Sequence, residues 1–151
     1  MVRRVAGPAV VVVNFLFDVV PRYAEIDQQG VVFFGHYLTW CDEAFTGFQA
    51  AIGYPYPDMI ADGVDIQIVH AELDYAASVH WGDAVLVVVE NEKVGSTSVT
   101  TRFTIRRSAS AGETWTDAVT VRLVHVCVDA SAFTKMAVPG RLASALAASR
   151  G

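Results

Sequence analysis

The sequence predicts an α+β domain in which one long helix packs against an antiparallel sheet of about five strands. From His36 to Ile52, apolar side chains recur at steps of three and four residues, as on one face of a helix. Five other segments are rich in β-branched and aromatic residues, as strands are, and four of them follow one another like a meander. A chain of 151 residues has the length of one domain, so residues 1–151 are predicted to form a single domain with ragged ends at 1–9 and 141–151.

The order of elements follows from the turn signals between them. A first strand is predicted from Val10 to Val20, and a loop then leads to the helix, which ends before Gly53 and Pro55. In the fourth strand, Arg102, Thr104 and Arg106 alternate with apolar neighbours, which predicts one solvated and one buried face. The four later strands are predicted at Val64 to Tyr75, Ala84 to Glu90, Thr97 to Arg107 and Thr116 to Val128.

Composition limits the kind of partner. Hydrophobic residues make up 53% of the chain and charged residues 18%, against roughly 25% charged in ordinary domains. One helix cannot cover both faces of such a sheet, so we expect a homo-oligomer. The net charge of −5 argues against nucleic acid as a partner. The sequence contains no run of ~20 apolar residues, so it predicts no membrane span. Its two cysteines lie far apart in the sequence, which favours reduced thiols in the cytoplasm over a zinc site or a disulfide framework.

The most informative stretch is the loop before the helix. It reads YAEIDQQGVVFFGHY over residues 23–37 and brings Asp27 and Gly30 up to four bulky apolar residues. With the helix start, the stretch YAEIDQQGVVFFGHYLTWCDEAF resembles the signature of the 4-hydroxybenzoyl-CoA thioesterase family. The residues that carry the resemblance are Asp27, Gly30, Val31, Val32, Phe33, Tyr37, Trp40, Asp42 and Glu43.

The resemblance extends loosely over residues 12 to 139 and carries several implications. It implies the hotdog fold, in which a curved antiparallel sheet wraps around a long helix, usually as a homodimer or homotetramer. It also implies hydrolysis of an acyl-CoA thioester without a metal or another cofactor. The family's paired arginines, which hold the CoA phosphates, have no match here, because their positions fall near Gly95 and Ser96.

The loop chemistry fits that reaction. The Asp27 carboxylate can attack the acyl carbon or deprotonate a water molecule, and from the residues alone it could equally be a turn or cap residue. Backbone amides at a helix start have no intrahelical partner, so those near Phe34 and Gly35 could stabilise an oxyanion. Gly30 allows a tight turn, and Val32 and Phe33 supply an apolar wall.

Other residues are reserve candidates. Glu43 on the helix is an alternative catalytic acid, and His36 could contact the substrate or Asp27, although a solvated surface role is the simpler interpretation of both. Three arginines could hold CoA phosphates, because guanidinium groups suit phosphate geometry, or could simply be solvated. They are Arg102, Arg106 and Arg107. The remaining histidines, including His125, share no metal-ligand spacing and are interpreted as structural.

Two alternative functions remain open at this point. The missing arginine pair favours a substrate that is carried on an acyl carrier protein, because a carrier presents only its pantetheine arm. A non-catalytic acyl-thioester binding protein would use the same apolar loop, but it would have no need of Asp27.

Overall fold

A six-stranded antiparallel sheet and a long helix dominate the computed structural model, which describes residues 2–7 and 10–149, with side chains from residue 14 onward. The strands are β1 Val2–Gly7, β2 Val10–Val19, β3 Val64–Tyr75, β4 Ala84–Val94, β5 Ser98–Ser108 and β6 Thr116–Asp129. The helices are α1 His36–Ala51, α2 Tyr56–Ala61 and α3 Gly140–Ser149, and a short 3₁₀ helix spans Tyr23–Glu25.

The strands lie in the order β1-β2-β4-β5-β6-β3, and every neighbouring pair is antiparallel. The five predicted strands correspond to β2 through β6. A sixth strand, β1, lies within the predicted N-terminal end and pairs with β2 from Val2↔Phe15 to Gly7↔Val10. The alanine-rich tail from Arg141 to Ala148, for which the sequence left a short helix or disorder open, lies in α3, which buries Leu142 and Leu146. Residues 1, 8, 9, 150 and 151 of the two predicted ends lie outside the described residues.

Helix α1 packs across one face of the sheet, as its apolar periodicity predicted. Phe48 contacts Phe15 of β2 with ring centroids 6.0 Å apart, and Phe45 lies 6.5 Å from Phe103 of β5. The helix ends just before Gly53, whose φ of +82° lies in the left-handed region that favours glycine after a helix. The buried residues of α1 are Tyr37, Trp40, Cys41, Ala44, Phe45, Phe48 and Gln49.

Strand β5 confirms the predicted alternation. Phe103 and Ile105 are fully buried, whereas Arg102, which precedes Phe103, is exposed. Strand β3, in contrast, leaves apolar side chains exposed. It is a 12-residue strand at the edge of the sheet, and its middle residues Ile68 and Val69 are 50% and 61% exposed. In the described part of the chain, no helix is both long and apolar enough to cross a membrane.

Candidate active site

The loop between the 3₁₀ helix and α1 holds Asp27 in a tight turn. The Gly30 N–H donates to the Asp27 carbonyl oxygen at 3.0 Å, and the Asp27 N–H donates to the Val31 carbonyl oxygen at 2.9 Å. Gly30 has a φ of +76°, a backbone conformation that is strained in residues with a side chain. The turn therefore needs glycine at this position. The Gln29 N–H donates to Asp27 Oδ1 at 2.8 Å, which leaves Oδ2 of the carboxylate without a protein partner among the described residues.

Glu25 anchors this loop to the core, and sequence reasoning missed it. Its carboxylate is 4% exposed and accepts hydrogen bonds from Trp40 Nε1 at 3.2 Å and from the Arg22 backbone N–H at 2.8 Å. Its carbonyl oxygen accepts from the Phe33 N–H at 2.9 Å. Burial acts to raise the pKa of the Glu25 carboxyl, but these hydrogen bonds outweigh it and hold that pKa below its usual range.

Asp27 lies at a cavity of about 260 Å³ between the loop, the start of α1 and the end of β3. Val32, which is 2% exposed, supplies an apolar wall, and Tyr37 and Tyr75 supply aromatic ones. We call this space the Asp27 cavity. It is lined by Asp27, Gln29, Val31, Val32, Phe34, Tyr37, Tyr75, Ala76, Ala77 and Ser78.

The start of α1 carries unpaired backbone donors beside this cavity. The His36 N–H donates to the Phe33 carbonyl oxygen at 3.0 Å, but the N–H groups of Phe34 and Gly35 donate to no acceptor within the described residues. Gly35 is the N-cap of α1 and provides no side-chain cap. The positive end of the helix dipole adds to these donors, so the arrangement suits a developing negative charge.

Two tyrosines fix the position of that helix start. Tyr75 Oη donates to the Phe34 carbonyl oxygen at 3.1 Å, and its ring meets Tyr37 edge-on at 5.9 Å. Tyr37 Oη in turn accepts from the Val79 N–H at 3.3 Å, and burial raises the pKa of this phenol. Tyr75 is 41 residues from Phe34, so the sequence offered no local signal for this contact.

Phe33, Gly35 and His36 lie at the helix start but do not line the Asp27 cavity. The Phe33 ring meets the His36 ring edge-on at 5.5 Å, and a Cβ placed on Gly35 would lie 3.0 Å from Phe33. A side chain at position 35 would therefore push the Phe33 ring aside, so glycine keeps this ring packed on the backbone at the start of α1.

The structure separates Glu43 from Asp27. Glu43 lines a different cavity, of about 210 Å³, on the β2 side of α1, whereas the Asp27 cavity is on the β3 side. The Glu43 cavity also contains the carboxylates of Asp18 and Glu25. Its lining residues are Phe17, Asp18, Val19, Val20, Arg22, Glu25, Trp40 and Glu43.

None of the three candidate CoA-binding arginines lines the Asp27 cavity. Arg106 Nε pairs with Asp117 at 2.8 Å, and Arg107 pairs with Asp83 at 3.2 Å. Arg102 is exposed on β5, opposite the buried side of the strand. The structure therefore does not bring these arginines together with the loop.

Neither a metal cluster nor an activated cysteine accompanies the Asp27 cavity within the part of the chain that the structure describes. There, no three His, Cys, Asp or Glu side chains are grouped as a metal site requires. Cys41 and Cys127 are buried free thiols, and burial raises the pKa of both. A thiol whose pKa is raised is a poor nucleophile, so neither cysteine is suited to nucleophilic catalysis.

Comparisons with known proteins show the family and the fold of the chain. The chain matches the sequence model of the thioesterase superfamily over residues 29–112. It is 27% identical over 131 residues to a 1,4-dihydroxy-2-naphthoyl-CoA hydrolase of Synechococcus elongatus, covering 85% of this chain and 92% of that relative.

Two solved structures show the same fold. A 1,4-dihydroxy-2-naphthoyl-CoA thioesterase from Synechocystis superposes with a TM-score of 0.76 at 24% identity, covering 89% of this chain and 96% of that one. A 4-hydroxybenzoyl-CoA thioesterase variant in complex with 4-hydroxybenzoyl-CoA gives 0.80 at 14% identity, covering 88% and 98%. These findings confirm the predicted hotdog fold and the resemblance at the level of the family. The chain belongs to the thioesterase superfamily, and it is a thioester hydrolase.

Proposed function

We propose that this enzyme hydrolyses an aromatic acyl-CoA to the free acid and CoA, with Asp27 as the nucleophile or general base. The observation that carries the proposal is the position of Asp27 at one cavity with the unpaired N–H groups of the α1 start nearby. The aromatic acyl group is inferred from the relatives, several of which are named for 1,4-dihydroxy-2-naphthoyl-CoA.

In this mechanism the turn positions the carboxylate for attack. The Gln29 N–H holds Oδ1, so Oδ2 is the oxygen that attacks the acyl carbon or removes a proton from water. In direct attack, Oδ2 bonds to the acyl carbon, the carbon–sulfur bond breaks and CoA leaves as a thiolate, so the acyl group stays on Asp27 as a mixed anhydride that water then hydrolyses. In general-base catalysis, Oδ2 takes a proton from water, and that water attacks the acyl carbon and displaces the CoA thiolate in the same way. Val32 and the aromatic walls keep bulk water away from the reacting carbon.

The N–H groups of Phe34 and Gly35 serve as the oxyanion hole in this proposal. Because no protein acceptor competes for them within the described residues, they are available to the thioester oxygen as it becomes negative. One donor of this kind is typically worth about 10²–10³ in rate. Tyr75 fixes the orientation of the Phe34–Gly35 peptide, to which the Gly35 N–H belongs, through its hydrogen bond to the Phe34 carbonyl oxygen.

A panel of thioesters tests the activity. Purified protein is incubated with 1,4-dihydroxy-2-naphthoyl-CoA, 4-hydroxybenzoyl-CoA and aliphatic acyl-CoAs, and released thiol is measured. We expect release from at least one aromatic acyl-CoA, and no release from any CoA thioester would contradict the proposal. The same acyl group presented on an acyl carrier protein gives a second arm, in which a strong preference for the carrier would identify the carrier-bound thioester as the substrate.

We also propose that the enzyme is a homodimer, formed in the cytoplasm through β3. The outer edge of β3 has no neighbouring strand among those described, and Ile68 and Val69 are exposed along it. Long apolar edges of this kind pair with another chain unless they are protected. Light scattering after size-exclusion chromatography should give twice the chain mass of 16.3 kDa, or a multiple of that dimer mass. Val69→Lys should lower the measured mass. A monomeric wild-type protein would contradict this proposal.

A further inference from the structure

A short stretch of main chain after β3 borders the Asp27 cavity, and the catalytic proposal does not use it. Ala76, Ala77 and Ser78 line the cavity directly after Tyr75, the last residue of β3. The carbonyl oxygens of all three residues and the Ser78 N–H have no hydrogen-bond partner among the described residues. Ser78 is also exposed, so a ligand in the cavity can reach it. We call residues 76–78 the post-β3 segment.

Hydrogen bonds hold the post-β3 segment at both ends. The N–H groups of Ala76 and Ala77 both donate to the Ala118 carbonyl oxygen of β6, at 2.8 and 3.0 Å. Directly after the segment, the Val79 carbonyl oxygen accepts from the Val32 N–H at 2.8 Å. The unpaired groups of the segment therefore lie between two fixed points, and little ordering is needed when a ligand binds to them.

Unpaired main-chain groups at a cavity suit a ligand that carries amides. An extended ligand beside such groups can form the hydrogen bonds that a neighbouring strand would form. The described lining of the Asp27 cavity contains no Lys or Arg, so no cationic side chain there pairs with a phosphate. This wall therefore suits a neutral part of a ligand that has both C=O acceptors and N–H donors.

A thioester of pantetheine has such a part next to its reacting bond. The pantetheine arm, which CoA and acyl carrier proteins share, has one amide two methylene groups from the sulfur and a second amide further along. In the proposed mechanism the acyl carbon lies between Asp27 and the N–H groups of Phe34 and Gly35. The post-β3 segment lines the same cavity of about 260 Å³ as Asp27 and Phe34, so the amide nearest the sulfur lies within its reach.

We propose that the post-β3 segment binds the pantetheine arm through its main chain. The Ser78 N–H donates to the amide carbonyl oxygen nearest the sulfur, and the carbonyl oxygens of the segment accept from the N–H groups of the arm. This inference rests on the proposed function, because it places the arm of the thioester that Asp27 attacks. It goes further by naming the groups of the substrate that are recognised and the residues that recognise them.

Binding of unreactive thioethers tests the inference apart from catalysis. One probe is phenacyl-pantetheine, which contains no thioester bond, and the other is the same thioether with both amide N–H groups replaced by oxygen. Calorimetry on the wild type should show at least about 2-fold and up to roughly 10-fold weaker binding of the second probe for each hydrogen bond that it lacks. A difference smaller than 2-fold between the two probes would overturn the inference.

A matched pair of variants tests the Ser78 donor itself. Ser78→Pro removes the N–H, whereas Ser78→Ala removes only the hydroxyl and keeps the N–H. Affinity for phenacyl-pantetheine should fall by about 2-fold to 10-fold in Ser78→Pro and by less than 2-fold in Ser78→Ala. Equal affinities of the two variants would overturn the inference. If the melting temperature shows that Ser78→Pro is not folded, the two probes on the wild type decide.

Turnover is measured separately, so that the two proposals can fail independently. Thiol release from the same acyl group on CoA and on an acyl carrier protein identifies which of the two supplies the arm. Absent turnover of both, together with weaker binding of the amide-free probe, would reject the catalytic proposal but support the assignment of the post-β3 segment. Turnover together with equal binding of the two probes would support catalysis and overturn this inference.

Discussion

Two carboxylates, Asp27 and Glu43, lie at cavities on opposite sides of the same helix, and their surroundings differ in kind. The Asp27 cavity has one carboxylate among its described lining residues and lies beside unpaired N–H groups at the positive end of α1. The Glu43 cavity has three carboxylates, those of Asp18, Glu25 and Glu43, and one arginine, Arg22, which hydrogen-bonds to Glu25.

The difference shows why a carboxylate at a cavity is not sufficient for this chemistry. Hydrolysis of a thioester places a negative charge on the acyl oxygen, and that charge needs donors. Beside Asp27 the donors are available, whereas beside Glu43 other carboxylates would repel the new charge. The comparison therefore supports the proposal that the reaction takes place on the β3 side of α1, with Glu43 as a surface residue on the β2 side.

The largest expected effect is that of Asp27→Asn. The substitution keeps the size of the side chain, and the amide oxygen can still accept from the Gln29 N–H, but the nucleophile or base is lost. We expect kcat to fall by at least about 10²-fold. KM should change little, because Asp27 acts in the transition state more than in ground-state binding. Steady-state thiol release measures both constants, and an unchanged melting temperature would show that the loop remains folded.

The next effect should come from Glu25→Ala, which leaves Trp40 Nε1 and the Arg22 N–H without their acceptor. Unpaired buried donors cost about 1–3 kcal/mol each, and the melting temperature should fall by roughly 2–4 °C per kcal/mol. Because Glu25 anchors the Asp27 loop, kcat should also fall by about 10-fold, less than the ~10² that a 1 Å displacement can cost. A stable variant with full activity would show that the loop needs no such anchor.

The same residue predicts a pH dependence of stability. The pKa of Glu25 is lower in the folded protein than the ordinary value of 4.5, so its stabilisation is fully present above pH 4.5. It is lost as the pH falls from there through the folded-state pKa. Chemical denaturation of the wild type and of Glu25→Gln should therefore give free energies of unfolding that differ most at neutral pH and converge in acid. A difference that stays constant down to pH 3 would contradict the assigned pKa direction.

The smallest effect is expected for Tyr75→Phe. It removes the hydroxyl that donates to the Phe34 carbonyl oxygen but keeps the ring against Tyr37. One partly exposed hydrogen bond is worth about 0.5–1.5 kcal/mol, so kcat/KM should fall between about 2-fold and 10-fold. Tyr56→Phe is a matched control, because its hydroxyl donates to Asp65 at 3.1 Å and Tyr56 does not line the Asp27 cavity. The control should show the smaller change in kcat/KM.

Local patterns predicted much of this fold correctly. The three- and four-residue apolar steps predicted α1 starting at His36, and the alternation around Phe103 predicted the two faces of β5. Such periods repeat within one element, so they can be recognised without knowing what the element packs against. Helix α2 lacked that signal, because its six residues include Pro57 and complete too few turns to show a period.

Contacts between distant residues could not be predicted in the same way. Glu25 and Trp40 are 15 residues apart, and Tyr75 and Phe34 are 41 apart, so only the folded chain shows that they meet. His125 was interpreted as structural because histidines without ligand spacing usually are. Its burial and its stacking on Phe45 at 4.4 Å depend on the packing of β6 beneath α1, which no local pattern reports.

The most direct test of the central claim compares Asp27→Asn, Glu43→Gln and the double variant in one thiol-release assay on the best acyl-CoA substrate. If the reaction takes place on the β3 side of α1, Glu43→Gln retains kcat within about 2-fold of the wild type. Asp27→Asn then loses at least about 10²-fold, and the double variant loses no more than Asp27→Asn alone. An inactive Glu43→Gln beside a near-normal Asp27→Asn would place the catalytic acid on the helix and contradict the account.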